Sequence, residues 1–396
     1  MPPTPTPRLR AFRLPPVFLG LLLLGTAAAA TAQGEAPSGG DSGGGEPAGL
    51  DVGFEDLVEV SEVFVDILAT DEDGNVVRGL GIDDFVVEED GNPVTLTGVS
   101  YYSTRYGDPA AAPAEAAEPA AAAGDGEVPS SRYFVMFFHD QTRYGYFGAN
   151  RLMRQQLRAG QDARRWIAEA LLPSDWIAVV SYDVKLKVHQ DFTQDREVLQ
   201  RAIERATTGE DPSDFNPSRR EAVGRGRELN VLSRLPEGKA LRRESRNVYQ
   251  GLQRVAEASG FLVGRKVMML YTVGFGVRRG NTGTSLPDPR YYSDLETVLN
   301  DHNVAVYPID LTPSGFPPIQ EDFLTRIAED TGGYYDENFI GFFDPLERIA
   351  RENYGYYLLT YRTERPAGEV GYQRLEVRAR NPEIEVRART GYRFGL

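Results

Sequence analysis

The chain of 396 residues has no cysteine. That excludes disulfides, thiolate metal sites, thiol nucleophiles and cysteine-linked lipid anchors. Histidine is nearly as scarce. His139, His189 and His302 never fall at metal-ligand spacing, which argues against zinc. Positive charge is in deficit, with 43 Lys and Arg against 58 Asp and Glu, a formal net charge of −15. A chain of that sign repels phosphate backbones, so nucleic acid is not expected as a partner. After residue 32 no uninterrupted apolar run approaches the ~18 residues that a membrane span needs. The length exceeds one domain at about 150 residues each, and it is ample for a core that folds without covalent staples.

The first residues have a recognisable layout. Arg8, Arg10 and Arg13 precede an apolar run from Val17 to Gly25, and small residues end in Ala30-Thr31-Ala32 before Gln33. This is the pattern of a cleaved secretory signal over residues 1–32. The alternative is an uncleaved anchor, although the apolar run is short for a span. Export to the periplasm, cell surface or medium is expected. Residues 33–50 are Gly, Ser, Pro and acids and read as a flexible linker. Residues 104–131 are rich in Ala and Pro and read as a second.

Charge is distributed unevenly along the rest. Residues 51–103 hold fourteen acids and one Arg, whereas residues 355–396 hold eight Arg and five Glu. Both stretches alternate apolar and polar residues. Residues 59–70, then Phe85 and Val87, then Val94, Leu96 and Val99 read as strands, with Asp73-Gly74 and Asp90-Gly91 as hairpin turns. Tyr356 to Tyr361, Tyr372 to Ala379 and Glu383 to Arg389 read likewise. Three strands in about fifty residues make a marginal core. The expectation is one discontinuous all-β sandwich, 51–103 with 355–396, with residues 132–354 inserted into it. Asp71-x-Asp73-Gly74-Asn75 also has the start of a calcium loop but lacks the downstream Glu, so a turn is the preferred reading.

Residues 132–354 follow a different rhythm. Arg132 to His139, Trp176 to Tyr182, Val267 to Val273 and Val304 to Ile309 are continuous apolar strands, with Lys185 to Gln190 as an edge strand. Asn150 to Leu172, Asp195 to Ala206, Ile319 to Asp330 and Phe342 to Asn353 have helical spacing, and Tyr334-Tyr335 reads as a short strand. The fold class expected is α/β, a doubly wound and mostly parallel sheet, with any ligand at the carboxyl ends of the strands. His139-Asp140-Gln141-Thr142 is the prime candidate. None of the three histidines has an evident serine partner in the sequence.

The order of these segments resembles a von Willebrand factor type A domain, and more closely the bacterial secreted VWFA-related proteins. Five stretches carry the resemblance: VFVDILATDEDGNVVRGLGIDDFVVEEDG, LLPSDWIAVVSYDVKLKVHQDFT, GRKVMMLYTVGF, NVAVYPIDL, and YGYYLLTYRTERPAGEVGYQRLEVRAR with VRARTGYRF. Together they cover most of residues 54–396. The resemblance implies a metal-ion-dependent adhesion site for Mg²⁺ or Ca²⁺, with the pattern Asp-x-Ser-x-Ser, a loop Thr, and an Asp ending the fourth strand. Here Asp140 matches and Thr142 substitutes for the first Ser, but Tyr144 replaces the second and Val273 replaces the later Asp. Thr207 or Thr208 would supply the loop Thr. Asp310 is a second acid on the same face. The site is therefore expected to be degenerate, with Asp140, Thr142 and Asp310 as its residual ligands.

Residues 216–247 hold nine Lys or Arg and four Glu, an insertion relative to the type A pattern. The reading is a solvated helical arm, or a docking patch for an acidic partner through Arg219, Arg220, Arg242, Arg243 and Arg246. No Gly-x-Ser-x-Gly elbow or dinucleotide glycine spacing occurs. The function expected is a non-enzymatic, exported module that binds a protein or cell-surface ligand. A structural or scaffolding envelope protein is the first alternative, and a hydrolase using Asp140 or His139 the second.

Overall fold

The computed structural model describes residues 58–103, 131–142, 148–210, 229–278, 285–313, 315–316, 320–335, 341–366 and 368–395. All of them fall in the contact-defined unit Glu55–Leu396. The signal, the 33–50 linker, the 104–131 linker up to Ser131, and Arg219, Arg220 and Tyr144 lie outside the described residues.

Period-two alternation makes Val58–Thr70 one long strand, β1, with Val63, Val65, Ile67 and Ala69 buried on one side. Phe85–Glu89 (β2), Asn92–Val94 (β3) and Leu96–Ser103 (β4) follow. Asp90 and Gly91 adopt φ of 48° and 79°, the left-handed pair of a two-residue hairpin between β2 and β3. Asp73-Gly74 also turns the chain back antiparallel, but the return onto β1 is limited to the single bridge Thr70↔Val76, with the Val77 N–H donating to the Ala69 carbonyl at 2.9 Å. Strands β1 and β2 belong to different sheets. The turn is closed by the Asp71 N–H donating to the Asn75 carbonyl at 3.0 Å and by the Asp71 carboxylate, which accepts from the backbone N–H of Asp73 and Asn75 at 3.1 and 2.8 Å.

Residues 132–354 begin with Arg132–His139 (β5) and Ala149–Glu169 (α1). Asp175–Tyr182 (β6), Leu186–Thr193 (β7), Arg196–Thr208 (α2), Gly238–Glu244 (α3) and Val248–Ser259 (α4) come next. Lys266–Thr272 (β8), the short pair Val277–Arg278 (β9) and Ser285–Leu286 (β10), Tyr292–Asp301 (α5), Val304–Asp310 (β11), Glu321–Asp330 (α6) and Phe343–Glu352 (α7) complete it. Helix α2 starts at Asp195, whose side chain caps the N–H groups of Glu197 and Val198, and stops at left-handed Gly209.

The sheet order is β11-β8-β5-β6-β7, parallel except for β7 at one edge. One face packs Phe134, Met136, Met269 and Tyr307 against Trp166 of α1, Leu199 of α2 and Leu346 of α7. The other packs Val135, Phe137, Met268 and Leu270 against Leu252 of α4, Leu295 of α5 and Phe323 of α6. Apolar residues on both faces are why these strands read as unbroken runs.

Two details depart from expectation. Tyr334-Tyr335 is not a strand. The Thr331 hydroxyl takes the Val306 N–H at 3.0 Å, so the loop after α6 caps the outer edge of β11 without pairing. Helices α4 and α5 are elements that the sequence reading does not identify.

The chain ends with Gly355–Pro366 (β12), Gly371–Ala379 (β13), Glu385–Ala388 (β14) and Gly391–Phe394 (β15), the last also unanticipated. These strands pair with those at the start. One sheet is ordered β14-β1-β12-β4, the other β15-β13-β2-β3. Strands β1 and β12 run antiparallel from Val58↔Pro366 to Ile67↔Tyr357. Val65, Phe85, Leu359, Tyr361 and Leu375 share one apolar cluster. The charge asymmetry appears as ion pairs across the join, Glu89 with Arg365 and Glu88 with Arg378.

Candidate functional site

Strand β5 is followed by β6 on one side, and β8 returns on the other, so the strand order reverses between β5 and β8. Crevices of doubly wound sheets lie at such a point, outside the carboxyl ends of the strands. Asp140 immediately follows β5. Its N–H donates to the Tyr182 carbonyl at 2.8 Å, which bends the chain over β6. Its Oδ1 accepts from the Thr142 N–H at 3.0 Å and the Thr142 hydroxyl at 2.7 Å.

Asp310 ends β11 in the same way. Its Oδ1 accepts from the Thr312 N–H and hydroxyl at 2.8 and 2.7 Å, and the Tyr335 hydroxyl donates to Oδ2 at 3.3 Å. Burial raises its pKa against these hydrogen bonds. The two Asp-x-Thr turns stand on strands separated by β8.

Between them Gln141 closes the end of β8. Its Nε2 donates to the Gly274 carbonyl at 2.8 Å. Its Oε1 accepts from the Thr272 hydroxyl at 3.1 Å and the Val273 N–H at 2.9 Å. The Thr272 hydroxyl proton is thereby committed. Its oxygen accepts from the Gly274 N–H and lies 3.0 Å from His139 Nδ1, which places the imidazole proton on Nδ1. His139 packs edge-on against Phe275, and burial pushes its pKa down to about 3, so the ring is neutral.

These residues do not assemble a divalent-cation donor set. Asp140 and Thr142 satisfy each other, and Asp310 is held by Thr312 and Tyr335. Val273 offers only backbone. The hydroxyls of Thr207 and Thr208 bond their own helix, to the Ile203 and Glu204 carbonyls at 2.8 and 2.9 Å. Helix α2 still approaches the site: a Cβ on Gly209 would lie 3.6 Å from Asp140 Oδ2. Among the described residues no group of three His, Cys, Asp or Glu is placed to hold a metal.

Of the basic patch, Arg242 and Arg243 lie on α3 and Arg246 just beyond it, all exposed. Arg246 Nε donates to the Arg243 carbonyl at 3.0 Å. A serine–histidine pair absent from the sequence reading also exists, with Ser181 Oγ 2.7 Å from His189 Nε2. The residues are eight apart on antiparallel β6 and β7, so only the register brings them together. Both are buried within the sheet.

No protein-family model matches the sequence, and no curated protein matches it. Solved structures do. Proximal thread matrix protein 1 from the mussel byssus is 14% identical with a TM-score of 0.31, over 55% of this chain and 47% of that one. BatB from Bacteroides thetaiotaomicron is 11% identical with a TM-score of 0.34, over 56% and 98%. The vWF domain of the type V pili tip protein Mfa5 from Porphyromonas gingivalis is 15% identical with a TM-score of 0.23, over 40% and 45%. The chain thus spans about half the length of the mussel protein. The doubly wound architecture itself is read from the strand order and the helices on both faces.

Proposed function

We propose that this chain is an exported, non-enzymatic binding module with a type A-like domain, residues 132–354, inserted into a β-sandwich made by 51–103 and 355–396. The pairing of β1 with β12 and the apolar cluster shared by the two antiparallel sheets support that arrangement. Its ligand is a protein or cell-surface group, bound at the carboxyl end of the five-stranded sheet. The observation that carries this reading is the pair of Asp-x-Thr turns flanking β8 at the point where strand order reverses. The metal site is degenerate, because Gln141 satisfies the end of β8 and Val273 stands where an Asp would bind. Arg242, Arg243 and Arg246, with Arg219 and Arg220 in sequence, form a secondary docking patch for acidic groups. Among the described residues no helix is long and apolar enough to cross a membrane.

A scaffolding role in the envelope is the second reading, and the closure of β8 by Gln141 favours it. The test is retention of the full chain on an envelope preparation from the producing cell, with and without EDTA. The expected result is retention that EDTA leaves unchanged and Thr142→Arg abolishes. Retention lost both in EDTA and in Asp140→Ala would instead mean a working metal site. Retention indifferent to Thr142→Arg would favour the scaffold.

A further inference from the structure

An open sheet edge is a template for another strand, and folded chains blunt it. Most edges here are blunted. Strand β3 has three residues and contains Pro93, and β15 has only four. The pairing of β4 with β12 shifts register between Thr360 and Tyr361. Strand β7 is irregular twice against β6, and its Phe192 carbonyl takes the Leu229 N–H at 3.0 Å. At β11 the Thr331 hydroxyl takes the Val306 N–H.

Strand β1 is the exception. It has 13 residues and lies against β12 without a register shift from Val58 to Ile67. On its other side β14 covers only Ile67 to Thr70. Arg389, just past β14, donates from Nη2 to the Phe64 carbonyl at 2.8 Å. Among the described residues no strand pairs with that side from Val58 to Asp66. Main-chain groups alternate sides along a strand, so Val60 and Glu62 point theirs outward as Phe64 does. The side chains are open as well: Val60 is 60% exposed and Phe64 51%.

We propose that this edge pairs with the same edge of a second copy of the chain, antiparallel about a two-fold axis at Ser61. In that register the strand is its own complement. Centring on Ser61 uses the whole free span from Val58 to Phe64. It sets Ser61 against Ser61 and places Val60 of one copy opposite Glu62 of the other. Centring one residue further on would set Glu62 against itself, a like-charge pair. Arg362, the cross-strand neighbour of Glu62 on β12, supplies a cation beside that acid. The pairing is independent of what the carboxyl-end face of the five-stranded sheet binds.

The test is sedimentation velocity of the full chain over a concentration series, where a monomer–dimer equilibrium is expected. Glu62→Pro removes an outward N–H and leaves the bonds to β12 in place, so it should weaken the dimer by about tenfold or more. Val60→Lys puts a charge on the edge, should act in the same direction, and serves where Glu62→Pro fails to fold. The chain has no cysteine, so Ser61→Cys gives a single thiol per copy. Residues opposed at a non-hydrogen-bonded antiparallel position lie within reach of a disulfide. Oxidation should link the Ser61→Cys variant into dimers and leave Thr97→Cys, on the β4 edge, unlinked. A chain monomeric throughout, a dimer unaltered in folded Val60→Lys, or cross-linking through Thr97→Cys alone would overturn the proposal.

Discussion

At the carboxyl end of the five-stranded sheet every acid is answered within two residues: Asp140 by Thr142, Asp310 by Thr312. At the amino end the main ion pairs join residues distant in the chain. Arg132 waits for Asp175, Glu352 takes Arg387 as well as its helix neighbour Arg348, and Arg265 lies in the field of the buried Asp66 carboxylate. Lys266 continues that excess on the opposite face. It is 3% exposed, and its Nζ donates to the Leu262 carbonyl at 3.0 Å. Burial pushes its pKa down to about 8, partly offset by Asp66. One end is thus answered locally. The other is a cationic junction beneath the N- and C-terminal strands, held by ion pairs that form only on folding.

Cutting the long-range pairing should have the largest effect. Asp175→Ala strands Arg132 in the interior and frees the Leu172 N–H that Asp175 also holds at 2.8 Å. Urea denaturation should show a loss of about 3–5 kcal/mol, the range for breaking a buried pair from one side. A loss below 1 kcal/mol would mean that the amino end is hydrated and the contrast false.

Removing excess cation should do the opposite. Lys266→Met is expected to stabilise the chain by roughly 1–3 kcal/mol at pH 7. The sign of the pH effect follows from linkage. The folded lysine releases its proton near 8 and the unfolded one near 10.5, so the unfolded state holds more protons between those values. Stability therefore rises with pH across that window, by at most about 1.4 kcal/mol per pH unit for one proton. Melting curves of the Lys266→Met variant should lose this slope, and persistence of the slope would assign it to another group.

The carboxyl end should respond more mildly. Gln141→Ala removes three hydrogen bonds from the end of β8 and should cost about 1–3 kcal/mol. It leaves the Asp140 and Asp310 turns intact. Equal loss of stability and of envelope retention would show that Gln141 positions the ligand face as well as sealing it.

Much of this architecture was legible in local pattern. Strands buried on both faces are continuous apolar runs, and the four parallel strands were readable for that reason. The hairpin at Asp90-Gly91 was readable because two left-handed residues in succession suit those side chains. Asp73-Gly74 carries the same chemical signal and does fold the chain back onto β1, but only for the bridge Thr70↔Val76 before the chain crosses to the other sheet, because turn residues specify a bend and not the length of the pairing. Tyr334-Tyr335 has strand composition, but the Thr331 hydroxyl had already taken the N–H at that part of the β11 edge. At the candidate site Asp140, Thr142 and Asp310 were visible as residue types, and their mutual separation by β8 followed from the expected order. The role of Gln141 was not, since an amide between an acid and a threonine carries no signal of the strand end it will reach.

The sequence by itself determined the alternation of helix and strand in residues 132–354, the β character of both ends, and the loss of an acid at Val273. Those features depend on periodicity and residue type, which are local. Tertiary structure alone decided that β1 would lie against β12, that Ser181 would meet His189, and that Asp175 would be spent on Arg132 while Asp66 faces Arg265, Lys266 and Arg389. Each of these depends on strand register, and register is set by the burial of whole faces at once, which no short segment encodes.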